Sequence, residues 1–302
     1  MFKIIQVVEK LLIVLALMFC SWMKCYAADD HKTLPAKIAF MEANRLFAGM
    51  KHSAQMPTGA YGSYTRGCLA GAARLPANGP HWQVMRMSRN RYWGHPRMLN
   101  YLERLSADAV QLDGWPGLLV GDISQPRGGP LLSGHKSHQI GLDADIWFRP
   151  SPQKKLSMNE RESWSANSMI NSRFNLNKAV WTEAHSRLLR RAASYPNVAR
   201  IFVHPTIKKE LCDWAGSDRT WLRKIRAWYG HDDHFHVRLD CPAGETSCID
   251  QDQPPSGDGC GDDLAWWFST QAYRVKPRKD MPALPLTLAD LPAACKAVLE
   301  SE

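Results

Sequence analysis

The sequence predicts an α+β fold: a central antiparallel sheet flanked by helices and by long, disulfide-tethered loops. Three observations carry this expectation. Two segments, Gly141 to Phe148 and His234 to Leu239, alternate apolar and polar residues with period 2, as strands with one face on a core do. Segments with helical spacing stand around them without regular strand–helix alternation, which favours α+β over a doubly wound sheet. Six cysteines follow residue 27: Cys68, Cys212, Cys241, Cys248, Cys260 and Cys295. An even number in an exported chain reads as three disulfides formed in an oxidising compartment.

The first residues read as a targeting segment. Lys3 and Lys10 precede the apolar run Leu11 to Phe19, and Cys25-Tyr26-Ala27 supplies small residues where a signal peptidase cuts. The run is too short to span a bilayer comfortably and no second candidate follows it. We therefore expect a cleaved signal peptide over residues 1–27, then a single domain over 28–302 with no integral membrane span. With 45% hydrophobic residues the chain can bury a sizeable core.

Residues 28–80 read as loop-rich, with Gly, Pro and small polar residues around Pro57 to Gly67. Trp82 to Met87 reads as a short strand. Pro96 to Leu112 places Leu99, Leu102, Leu105 and Ala109 at helical spacing. Gly117 to Ile123 is an apolar strand, and Gly128, Gly129 and Gly134 let the backbone bend sharply before the first motif. Residues 149–177 are polar and read as an excursion over one rim of the site. Lys178 to Tyr195 reads as a helix with Trp181, Ala184, Leu188 and Ala192 along one stripe. Arg200 to His204 is strand-like. Asp218 is placed to cap a helix carrying Trp221, Ile225 and Trp228. Gly261 to Phe268 reads as a short helix, and the Pro-rich stretch from Val275 to Pro292 as an extended segment tethered by Cys295. Cys241 and Cys248 flank a short polar loop and are the easiest local disulfide to accept, while fifteen pairings are open to six cysteines.

The formal net charge is +9. Such a balance favours an anionic partner, whether membrane surface, acidic polymer or nucleic acid. The cations are scattered, as at Arg187, Arg190, Arg191, Lys208 and Lys209, and no clustered basic-aromatic surface points to nucleic acid.

The chemistry concentrates in two windows. Ser133-Gly-His135-Lys-Ser-His138-Gln-Ile-Gly-Leu-Asp143-Ala-Asp145-Ile-Trp147 supplies two histidines and, seven residues after the second, a carboxylate. His231-Asp-Asp-His234-Phe-His236-Val-Arg238 supplies three more histidines. On the two strands Asp143 and Asp145 share one face, and His234, His236 and Arg238 share another. If the strands lie side by side, imidazoles and a carboxylate converge in the manner zinc prefers. His31, His52, His81, His95 and His185 stand alone and read as surface or structural, and His204, at a strand end, as a hydrogen-bonded core histidine. No His-Glu-x-x-His helix, Gly-x-Ser-x-Gly elbow or phosphate-cradling Gly-rich loop occurs, so these rival chemistries have no support. Neither does a Cys-x-x-Cys motif.

These two windows resemble the penicillin-insensitive murein endopeptidases. They belong to the wider zinc metallopeptidase group of lysostaphin-type enzymes, D-Ala-D-Ala peptidases and the hedgehog signalling domain. The similarity extends to Gln83-Val-Met-Arg86, Arg91-Tyr-Trp-Gly-His-Pro96, Trp221-Leu-Arg-Lys224 and Pro254-Pro-Ser-Gly-Asp-Gly-Cys260, nearly the whole mature chain. The resemblance implies a periplasmic, Zn2+-dependent endopeptidase that hydrolyses D-alanyl–diaminopimelate cross-links of peptidoglycan by a metal-activated water. It implies His138, Asp145 and His236 as metal ligands, with His135 as a further metal-site position. It also implies His234 and His231 as catalytic histidines, and disulfides Cys68–Cys295, Cys212–Cys260 and Cys241–Cys248. Around Asn171-Ser-Arg-Phe-Asn175 the Asp and His that some relatives offer a second metal are missing. The hedgehog resemblance also implies an alternative: a cell-wall-binding module whose zinc is structural.

Overall fold

In the computed structural model, which describes residues 42–132, 134–172, 174–274 and 285–302, the two alternating segments become neighbouring strands. The expected targeting segment, Ser133 of the first motif and residues 275–284 of the Pro-rich stretch lie outside the described residues. The first half of the chain forms α1 (Ala43–Gly49), β1 (Gly59–Ser63), β2 (Arg66–Ala70), β3 (Ala73–Arg74), β4 (Trp82–Val84), β5 (Trp93–Gly94), α2 (Pro96–Asp113), β6 (Leu118–Val120) and β7 (Asp143–Trp147). There follow α3 (Met158–Ser163), β8 (Ile170–Ser172), β9 (Asn175–Leu176), α4 (Glu183–Ser194), β10 (Val198–Val203), α5 (Pro205–Trp214), β11 (Ile225–Ala227) and β12 (His234–Leu239). The last elements are α6 (Asp262–Trp267), α7 (Thr270–Arg274) and α8 (Ala294–Glu300).

The central sheet has six strands in the order β11-β10-β12-β7-β6-β4. Its middle, β10-β12-β7-β6, is antiparallel as expected, and the outer strands β11 and β4 pair parallel to their neighbours. On one face Leu142, Ala144, Ile146, Phe235, Val237 and Leu239 form a buried cluster with Leu99, Leu102 and Leu105 of α2 and Leu188, Leu189 and Ala192 of α4. Each large apolar side chain so buried contributes about 1.5–3 kcal/mol relative to exposure, so this face supplies most of the sheet's adhesion.

The opposite face carries the polar row. All five residues of β7 are buried, although the alternation predicts a half-buried strand. The loop that follows β6 folds back over this face. It turns through Gly128 and Gly129 at φ +62° and +76°, where a Cβ would meet the Gln139 carbonyl oxygen at 2.1 Å or the Phe47 ring at 2.1 Å. Gln139 fixes the return by donating to Thr65 O and Lys136 O, and Arg127 ties it to Val298 O and Leu299 O of α8.

The disulfides are Cys68–Cys295, Cys212–Cys260 and Cys241–Cys248, the pairing that the resemblance implies. The first holds α8 against β2 within a second small core that includes Phe47, Leu288, Leu291 and Val298.

Some local expectations give way. Trp221, Ile225 and Trp228 do not share a helix: Thr220–Lys224 is a 3-10 turn, and the β-branched Ile225 continues as β11, paired with Ile201. Residues 205–214 form α5, started by Pro205 at its first turn and by His204, whose Nδ1 accepts from Thr206 N. The region read as loops before residue 80 contains α1 and the β1–β2 hairpin, and the rim excursion contains α3, opened by a Ser157–Glu160 capping box. No helix of the described residues is long and apolar enough to cross a membrane.

Candidate metal centre

The register of β7 and β12 sets His236 opposite Asp145 and Arg238 opposite Asp143, with all four side chains on the polar face. The covering loop brings His135 and His138 to the same place. As a result His135, His138, Asp145 and His236 form a group able to hold a metal ion, one ligand atom from each lying within 4.8 Å of the others. Among the described residues no second such group occurs, and the β8–β9 hairpin around Asn171 to Asn175 contributes none.

Hydrogen bonds decide which ring nitrogen each histidine offers. His138 Nδ1 donates to Ile123 O at 2.7 Å, so its Nε2 lone pair is the free one; it lies 3.4 Å from Asp145 Oδ1. His236 Nε2 lies 2.9 Å from Asp143 Oδ1, which accepts its proton and leaves Nδ1 free, 3.2 Å from Asp145 Oδ1. His135 reaches Asp145 Oδ2 with Nε2 at 3.1 Å and, unlike the other three, is partly exposed.

His138 Nε2, Asp145 Oδ1 and His234 Nε2 are buried without any hydrogen-bond partner. Unpaired buried polar atoms are costly; His138 Nε2 and Asp145 Oδ1 fit a cation bound between them, and His234 Nε2 stands at its side. The electrostatics agree. Burial pushes the His138 imidazole down, but Asp145, Asp143 and Asp122 outweigh it and raise its pKa to about 9. Burial likewise opposes ionisation of Asp145, yet His138, His135 and His234 hold its carboxyl well below the usual range. The carboxylate calls for positive charge at the point where the lone pairs meet.

Around the ligands stands a support that reading the residues did not single out. Asp143, fully buried, accepts four bonds: His236 Nε2 and Arg238 Nε on Oδ1, and His138 N and Arg238 Nη2 on Oδ2. It thereby orients the His236 ring and pins the backbone of His138. The backbone N–H of His138 can reach it because His138 adopts φ +68°, a conformation that costs a non-glycine residue about 1–3 kcal/mol. Asp122, buried 4.0 Å from His135 Nε2, is held by Arg91 and Arg89. The period-2 spacing of Asp143 from Asp145, and of Arg238 from His236, puts each on the polar face, and the strand register then sets them opposite one another.

His234 and His231 lie beside the group rather than in it. His234 places Nε2 3.8 Å from Asp145 Oδ1 and Nδ1 2.6 Å from Asp233 Oδ1. Burial lowers its pKa, but Asp145 and Asp233 win and the balance is upward. His231, also at positive φ (+57°), donates Nδ1 to Tyr229 O, and its ring centroid lies 5.0 Å from that of His234. Burial, then the His234 and His236 rings, push His231 down to about 3.

Residues 60–300 match the family model of the penicillin-insensitive murein endopeptidases. The chain is 46% identical over 240 residues to the penicillin-insensitive murein endopeptidase of Haemophilus influenzae, spanning 80% of this chain and 82% of the relative. It is 42% identical over 242 residues to the protein of that name from Yersinia enterocolitica (80% and 86%), and 42% over 240 residues to that from Klebsiella pneumoniae (79% and 85%). The chain belongs to the penicillin-insensitive murein endopeptidase family. The match encloses every residue of the metal-holding group, the two flanking histidines and all three disulfides.

Proposed function

We propose that this chain is a zinc-dependent endopeptidase that hydrolyses peptide cross-links of the D-alanyl–diaminopimelate type in periplasmic peptidoglycan. The observation that carries the reading is the convergence of His138 Nε2 and His236 Nδ1, each freed by the bond its other ring nitrogen makes, on the unpaired Asp145 Oδ1, in a chain whose relatives are named murein endopeptidases. His138, Asp145 and His236 would hold the ion, with His135 at its exposed side. Bound zinc supplies a Lewis acid for the scissile carbonyl and lowers the pKa of a water toward ~7.

The chain's own residues handle the protons. His234, oriented by Asp233 and raised in pKa, donates from Nε2 to charge developing on the carbonyl oxygen or to the leaving amine. His231 stays neutral beside it, and its Nδ1–H bond to Tyr229 leaves Nε2 as a hydrogen-bond acceptor for substrate or water. No side chain acts as the nucleophile, so no acyl-enzyme forms. A leader over residues 1–27 and one catalytic domain over 28–302 complete the reading.

The membership of His135 in the ligand group supports a second reading, in which His135 closes the zinc as a fourth protein ligand and the chain binds cell wall without cleaving it. Digestion of purified cross-linked muropeptide dimers, with products identified by mass, separates the two. Hydrolysis gives monomers with two new termini and stops with chelator; the binding module leaves the dimers whole.

A further inference from the structure

The polar face of the sheet continues past the metal centre as an aromatic wall. Register runs straight across four strands: Asp145 opposite His236, His236 opposite Phe202, Phe202 opposite Arg226. The Phe202 ring therefore lies beside the His236 ring, with centroids 5.4 Å apart. Trp228 follows at 6.0 Å from Phe202, Trp267 at 5.9 Å from Trp228, and Trp266 at 5.1 Å from Trp267.

Trp228 is 48% exposed and Trp266 36%, whereas Trp82, Trp115, Trp147, Trp181 and Trp221 are each at most 7% exposed. Exposed aromatic surface that runs up to the histidine group marks a binding surface rather than a core. The wall is also preformed. Trp228 N donates to Val203 O at 2.9 Å, Tyr229 packs behind Trp267 at 4.8 Å, and the Cys212–Cys260 disulfide anchors the approach to α6.

We propose that Phe202, Trp228, Trp267 and Trp266 form a sugar-binding subsite that stacks pyranose rings of the glycan strand beside the metal centre; this rests on the murein reading above. Pyranose rings present flat C–H faces that pack on indole, and their edges carry hydroxyls. Asp262 and Asp263, exposed in the first turn of α6, border the wall. Arg226, in the wall's own row, pairs with Asp263 at 3.5 Å and so is engaged by a carboxylate, while Asp262 adds an exposed carboxylate. Carboxylates accept from sugar hydroxyls and repel anionic headgroups and phosphate chains, which favours a neutral, hydroxyl-rich ligand. Cross-linked peptides in murein hang from such sugars, so gripping the strand positions the cross-link at the metal centre.

The test has a cleavage arm and a binding arm on the full mature chain. Cross-linked muropeptide dimers with their disaccharides are compared with the same dimers stripped of sugar. For Trp266→Ala the ratio of kcat/KM on sugar-bearing to sugar-free dimers is expected to fall about three- to tenfold through KM, the change a stacking contact commonly carries, with Trp266→Phe restoring most of it. In the binding arm, with chelator present, oligomers of N-acetylglucosamine are expected to shift the tryptophan fluorescence of the wild type and to bind Trp266→Ala more weakly by a similar factor. An unchanged ratio, no oligomer binding by the wild type, or binding of phosphatidylglycerol vesicles in its place overturns the proposal. If the wild type cleaves neither dimer, the hydrolase reading fails while oligomer binding still decides the subsite.

Discussion

Asp143 Oδ1 accepts from His236 Nε2 at 2.9 Å across the β7–β12 pair, while Asp143 Oδ2 accepts the backbone N–H of His138 at 2.9 Å from the covering loop. One buried carboxylate therefore aims the His236 imidazole and fixes the backbone that carries His138, whose ring Ile123 O orients, and Arg238, stacked 4.1 Å over Tyr64, balances its charge. Partners of this kind commonly carry about 10–100-fold in metal affinity.

Asp143→Asn is accordingly expected to weaken zinc binding by about 10–100-fold in a chelator competition titration. The same change leaves Arg238 buried without its full counter-charge, so the melting temperature falls as well. Affinity equal to the wild type would show that the histidines are aimed without Asp143.

His138→Ala or His236→Ala is expected to lose both retained zinc and cleavage of muropeptide dimers. His234→Ala is expected to keep zinc and lose about 10²–10⁴-fold in turnover, the range of a positioned proton-transfer group. Metal analysis beside kcat separates the cases. A His234 variant that lost metal and kept its rate would reverse the assignment.

The placement of Asp145 and His236 is legible in the sequence because its signals are local, whereas His135 and His138 arrive on the covering loop, outside both strands. Alternation along Gly141 to Phe148 and His234 to Leu239 puts each set on one face, and the pairing of β7 with β12 joins the faces. The role of Asp143 depends on register between strands nearly a hundred residues apart, and on the left-handed turn at His138, which no short-range pattern encodes. Trp221, Ile225 and Trp228 misled because their spacing imitates a helix stripe, while pairing at the sheet edge overrides a weak local preference. The helix α5 carried a visible start signal at Pro205 that a reading centred on His204 passed over.

The Cys68–Cys295 bond closes a separation of 227 residues and holds α8, whose carbonyls receive Arg127 from the metal-covering loop. Replacing both cysteines by alanine is expected to cost about 2–5 kcal/mol of stability, read from denaturant unfolding. Because Arg127 links α8 to the loop carrying His135 and His138, zinc affinity should fall with it. Unchanged unfolding would mean that packing of α8 alone suffices.

Lys208 is buried, with Nζ donating to Leu222 O and Asp258 O, and burial pushes its pKa down to about 7. Between pH 7 and the ordinary lysine pKa near 10.4 the unfolded chain then holds a proton that the folded chain has released, so this group makes stability rise with pH across that window. Lys208→Met is expected to flatten that rise in unfolding curves measured from pH 7 to 10. A variant with the wild-type slope would show that Lys208 remains charged in the fold.

The central claim is that His138, Asp145 and His236 hold one ion with a coordination position left for solvent. Anomalous diffraction at the zinc edge, from crystals grown with zinc, tests it most directly. The account predicts a single peak about 2.0–2.2 Å from His138 Nε2, His236 Nδ1 and an Asp145 oxygen, with a water completing the shell. A peak bound elsewhere, or one enclosed by His135 as a fourth protein ligand with no water, would contradict it.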